Sequence, residues 1–90
     1  MPNYYVTMTD PGMSGWGMAE GLINKLIFVC PTENDRDSVM SYAKRHKMQN
    51  IRADNTPPAD YVRSMGTDYK YGRYYIQIKT KQTYPKWYEG

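Results

Sequence analysis

The chain holds one cysteine, Cys30, and one histidine, His46, in its 90 residues, and these two scarcities remove most of the common site chemistries. A lone cysteine excludes an internal disulfide and any cysteine-based zinc site within one chain, so a reducing, cytoplasmic setting is the simplest expectation. A Cys–His dyad would have to be assembled from Cys30 and His46 alone. Cys30 ends a strand that reads as buried, and His46 ends a helix among Lys44, Arg45 and Lys47. A buried thiol and a surface imidazole are therefore expected, not a nucleophile and its base. Long hydrophobic runs are absent as well: the longest, Leu26 to Cys30, is far too short to span a membrane. Met1-Pro2-Asn3-Tyr4 lacks a basic start followed by an apolar run, so no signal peptide is expected.

Other chemistries fail on spacing. Gly15-x-Gly17-x-x-x-Gly21 departs from the dinucleotide fingerprint and leads into a strand, where a phosphate cradle needs a helix N-terminus. Ser14 lies in Gly-Met-Ser-Gly and lacks the glycine two residues on that a nucleophile elbow requires. Asp35-x-Asp37 opens a helix and does not supply the oxygen ligands of a calcium loop. Asp54, Asp60 and Asp68 fall in or beside loops with nothing to fix their separation. No catalytic residues, no metal and no cofactor are expected.

The chain suffices for one domain, residues 1–90, which at this size buries roughly 60 to 65% of its unfolded surface and retains about 5 to 10 kcal/mol of net stability. Burying an indole is worth on the order of 4 to 6 kcal/mol before entropy, so the chain can hardly leave both Trp16 and Trp87 exposed. Ten tyrosines accompany them, a residue suited to half-wet sheet faces and to recognition surfaces alike.

Asn3 to Thr9 reads as a first strand ended by the turn signal Asp10-Pro11-Gly12. Leu22 or Ile23 then enters Lys25 to Cys30, apolar at every position after the lysine, hence a strand covered on both faces. Thr32 caps the clearest helix, with Asp35 as a capping-box acid, acids in the first turns and bases near the end. Val39, Met40 and Ala43, continued by the stem of Lys47, mark its inward face. A short strand over Asn50 to Asp54 ends at Asn55-Thr56-Pro57-Pro58. Ala59 to Tyr71 reads as a loop with one helical turn over Ala59 to Met65, and Arg73 to Thr80 alternates as a strand with one wet face. Thr83 to Tyr88 reads as a capped final turn that lays Trp87 back on the sheet. The expected class is α+β: a small mixed or antiparallel sheet of about four strands, one main helix packed on it and a short C-terminal helical turn.

Two segments remain as candidate binding sites. Residues 12–21 carry four glycines around Trp16, so the segment must be ordered from outside, by its own sheet or by a partner. Met13, Ser14, Trp16 and Met18 are the candidate partner-binding residues, with Trp16 as the anchor. The second segment, Tyr69 to Tyr88, contains no acid. Its Lys70, Arg73, Tyr75, Lys79 and Lys81 combine phosphate-binding cations with a ring for base stacking, as a single-stranded nucleic-acid platform requires. The bland alternative is an edge strand whose lysines prevent sheet-to-sheet pairing. Self-association through such an edge is a third reading.

The run Met13-Ser14-Gly15-Trp16-Gly17-Met18-Ala19-Glu20-Gly21, with Asn24-Lys25-Leu26, Lys79-Thr80-Lys81 and Tyr84-Pro85-x-Trp87, resembles a group of short, uncharacterised proteins encoded by tailed bacteriophages. Residues 31–73 carry no part of the pattern. The resemblance implies a phage setting and expression in the bacterial cytoplasm, and brings no activity or site residues with it. The leading expectation is a non-catalytic phage accessory protein that binds a host or phage macromolecule, such as a host enzyme or defence factor that it inhibits. Single-stranded nucleic-acid binding by the basic, aromatic C-terminal third, and self-association as a structural component, are the alternatives.

Overall fold

The computed structural model describes residues 3–13 and 21–80, the side chains of residues 11–13 excepted. Strand β2 (Ile23–Cys30) occupies the middle of a five-stranded mixed sheet. Its apolar run is explained by its two faces: Leu26, Phe28 and Cys30 join one buried cluster, while Ile27 joins another with Ile76 and Ile78. A strand covered on both sides has no wet positions to mark by alternation.

Strand β1 (Tyr4–Met13) pairs antiparallel with β2, placing Val6 opposite Phe28 and Thr7 opposite Ile27. It runs through Asp10-Pro11-Gly12, which the sequence marks as a turn. The register shifts between Thr9 and Met13 on the β2 side. On the other side the ladder to β3 stops at Thr9, so proline's missing N–H leaves no β3 hydrogen bond unmade.

Helix α1 (Glu33–Arg45) begins as the sequence indicates: Thr32 accepts from the Asp35 amide at 3.1 Å and donates its hydroxyl to the Asp35 carboxylate at 2.9 Å. Val39 and Ala43 are fully buried against Val6, Met8, Leu26 and Phe28, and Met40 packs at the rim. The stem of Lys47 does not extend this face. The helix has ended, Lys47 turns to positive φ and is exposed, and Met48 takes the buried place with its amide donating to the Ala43 carbonyl.

Strand β3 (Gln49–Asp54) pairs antiparallel with β1 at one sheet edge. Thr7 faces Arg52 and Thr9 faces Gln49, so the ladder is one residue longer on β3 than on β1. Asn50 has φ +56 within that irregularity, a conformation asparagine tolerates better than most residues. The chain then crosses the opposite face through helix α2 (Ala59–Ser64) to the far edge. There β4 (Tyr69–Tyr71) and β5 (Tyr74–Lys79) form a hairpin, and β5 runs parallel beside β2. Gly72, at φ +61, supplies the turn backbone that a two-residue hairpin needs.

The order β3-β1-β2-β5-β4 makes the class α+β with a mixed sheet, as expected, but with five strands rather than about four. The additional strand is β4, three residues lying within the segment read as a loop, too short for a period-two signal. The expected C-terminal helical turn and Trp87 lie outside the described residues.

Candidate functional site

The sheet has two faces with different covers. On the first, α1 packs mainly over β1, β3 and β2. The β5–β4 portion of that face carries the alternate residues of the ribbon: Tyr75 lies beside Asn24, Gln77 beside Leu26 and Lys79 beside Phe28. Lys70 of β4 lies directly opposite Tyr75. Register therefore aligns Lys70, Tyr75 and Lys79 on one face, with Gln77 donating to the Asn24 side chain at 3.2 Å between them. Lys70 is exposed, whereas Tyr75 and Lys79 are half-buried. Arg73 is exposed in the hairpin turn, and its carbonyl accepts the Ile23 amide at 2.9 Å, which starts the parallel β2–β5 ladder. Lys81, the fifth residue of the basic set, lies outside the described residues.

On the second face, Tyr61 of α2 packs with Tyr69 and Tyr74 against Ile27, Ile76 and Ile78, and its ring lies 5.2 Å from that of Tyr5. The alternation of Tyr74, Ile76 and Ile78 against Tyr75, Gln77 and Lys79 thus has the polarity read from sequence. An ionic clasp fixes α2 in place. Asp60 receives Lys25 at 2.5 Å and Arg63 at 2.7 Å, and the Asp60 carbonyl accepts the Tyr69 hydroxyl at 3.0 Å. Burial opposes ionisation of Asp60, but hydrogen bonds from Lys25 and Arg63 outweigh it and hold the carboxyl below its ordinary range. Arg63 then lies over the Tyr71 ring at 4.0 Å, and Lys25 over Tyr74 at 5.9 Å. Each of the three side chains is paired with another, so the clasp reads as a fastening.

The three aspartates that loops left unplaced do not converge. Asp60 is in the clasp, Asp68 accepts the Ile78 amide at 2.9 Å beside β5, and Asp54 is exposed on the far edge strand β3. Among the described residues no group of three or more histidine, cysteine, aspartate or glutamate side chains is placed to hold a metal. Cys30 is fully buried and His46 is exposed at the end of α1, the disposition expected from sequence. No described helix is long and apolar enough to cross a membrane.

No family model, curated protein or solved structure matches the chain. The candidate site therefore rests on the geometry of its own residues.

Of the partner-binding candidates, Ser14, Trp16 and Met18 and the side chain of Met13 lie outside the described residues. Their roots are fixed: Met13 pairs with Ile23, so the glycine–tryptophan run connects two hydrogen-bonded strand ends. The clasp carries no signal in the sequence. Lys25 and Asp60 are far apart in the chain, and neither a periodicity nor a motif joins them.

Proposed function

We propose that this protein is a non-catalytic binding module and that its ligand is single-stranded nucleic acid, held on the α1-side face of the β4–β5 ribbon. The observation that carries this reading is the cross-strand pair Lys70–Tyr75 with Lys79 on the same face. It sets a ring for base stacking between two cations for phosphates. Arg73 adds a further cation at the turn. Side chains on alternate positions of β5 are about 6.8 Å apart, close to the spacing of successive nucleotides in an extended strand. In the phage setting implied by the glycine–tryptophan resemblance, such a module works in the host cytoplasm.

The protein-partner reading keeps one structural support. Ile23, where the glycine–tryptophan run re-enters the sheet, is hydrogen-bonded to Arg73, so the root of that run and the basic hairpin turn share one end of the sheet. A partner anchored by Trp16 would meet the same basic end. Self-association through a sheet edge is the least supported reading: β3 carries the irregularity at Asn50 and charged side chains, and β4 is three residues long with Lys70 at its centre.

Fluorescence anisotropy with labelled oligothymidylate and oligouridylate tests the proposal. Saturable binding that Lys79→Gln weakens supports it, and absence of binding at micromolar protein in low salt overturns it. Capture of a host protein that is lost in Trp16→Ala, with no oligonucleotide binding, would move the assignment to the protein-partner reading.

A further inference from the structure

The face opposite α1 is not closed along its whole width. Beside α2 runs a cleft of about 460 Å³, with β1 as its floor and β3 as one wall. This volume suits a small ligand. Its walls mix polar and apolar groups, and three of the polar lining side chains are unoccupied. Among the described residues, Thr7, Arg52 and Asp54 make no side-chain hydrogen bond or ion pair.

Their arrangement is directional. Thr7 and Arg52 are cross-strand partners, so a hydroxyl and a guanidinium sit side by side on one face. Lys25 approaches from the other flank of β1, opposite Thr9, and lines the same cleft. Its charge is shared with Asp60, yet it adds positive potential at this end. Asp54, two positions beyond Arg52 and opposite Tyr5, lies about 6.8 Å further along the wall. Arginine and a hydroxyl suit a tetrahedral anion, with the guanidinium fork taking two oxygens. An unpaired carboxylate one residue pair away repels that anion and accepts hydroxyl donors instead. Tyr5, opposite Asp54, and Pro58 also line the cleft; Tyr5 is buried with its ring on Tyr61, so half-buried Pro58 offers the apolar surface for a sugar ring.

We propose that this cleft binds a phosphate monoester carried on a ring polyol, with the phosphate on Arg52 and Thr7 and the ring hydroxyls on Asp54. The ligand is a free sugar phosphate or a mononucleotide, which share this chemistry. The site lies on the opposite face from Tyr75 and Lys79 and is independent of oligonucleotide binding there.

The experiment is a titration of the full chain with ribose 5-phosphate, AMP and inorganic phosphate, followed by amide shifts in ¹⁵N–¹H spectra. Saturable shifts at Thr7, Arg52 and Asp54 are expected. Arg52→Gln weakens both organic ligands about tenfold or more, the loss of a bidentate charged contact. Asp54→Asn weakens ribose 5-phosphate but not inorganic phosphate, while Tyr75→Ala changes neither. Tighter binding of AMP assigns the site to a nucleotide, and tighter binding of ribose 5-phosphate assigns it to a free sugar phosphate. Absence of saturable shifts, equal affinity for inorganic phosphate and ribose 5-phosphate, or unchanged affinity in Arg52→Gln would overturn the proposal. Arg52 is exposed on an edge strand, so its replacement leaves the core intact.

Discussion

Lys70 and Tyr75 stand directly opposite each other in the β4–β5 ladder, while the next pair along, Tyr71 and Tyr74, points to the other face of the sheet. Neighbouring tyrosines in the sequence are thereby separated into two environments. Tyr75 joins the cations of the α1-side face, whereas Tyr74 packs against Ile27, Ile76 and Ile78 and Tyr71 lies under Arg63.

This separation gives a paired prediction. Tyr75→Ala weakens oligonucleotide binding by about tenfold or more, since base–ring stacking is worth about 1 to 3 kcal/mol per base. Tyr71→Ala leaves binding unchanged and instead lowers the urea midpoint slightly through loss of the Arg63 contact. Anisotropy titrations and urea unfolding of the two variants separate the effects.

Asp60 makes stability pH-dependent in a defined direction. Its folded-state carboxyl lies below the ordinary value of 3.8, so in the acid range the unfolded chain holds more protons at this group than the folded protein. The stabilisation is present above that value and is lost as pH falls through the folded-state value. Urea midpoints measured from pH 7 down to pH 3 should fall in the acid range, and Asp60→Asn should flatten that part of the profile. At pH 7 the same variant is expected to lose about 2 kcal/mol, because Lys25 and Arg63 lose a charged acceptor.

Met65 offers the opposite effect. It ends α2 at φ +55, is 89% exposed and donates its amide to the Val62 carbonyl. Glycine at such a helix end avoids the cost of a Cβ in the left-handed region, and an exposed side chain has little packing to lose. Met65→Gly should raise stability by about 0.5 to 1 kcal/mol, seen as a thermal midpoint a few degrees higher.

The parts of this fold that were legible in the sequence are those with local causes. Thr32 with Asp35 caps α1, the unbroken apolar run of β2 implies cover on two faces, and the alternation of β5 gives its polarity. The illegible parts depend on distant partners. Strand β1 passes through Pro11 because no β3 ladder remains there to need its amide, which only the pairing shows. Strand β4 exists as the partner of Tyr74 to Ile76 and carries almost no pattern of its own. The spacing of Lys47 continues the inward stripe of α1, but the helix stops and Met48 fills the space. At the candidate site, residue types were readable from the acid-free run, whereas the grouping of Lys70 with Tyr75 and Lys79 needed the hairpin register. The clasp of Lys25, Asp60 and Arg63 needed the crossing of α2.

Lys70, Arg73 and Lys79 are proposed to engage the phosphates of a single strand, and the salt dependence of oligothymidylate affinity measures this most directly. Three phosphate contacts on a single strand predict a slope of log K against log salt of roughly −2, with Lys70→Gln making it shallower by about 0.7. A slope near zero, or one that Lys70→Gln and Lys79→Gln both leave unchanged, would contradict the claim.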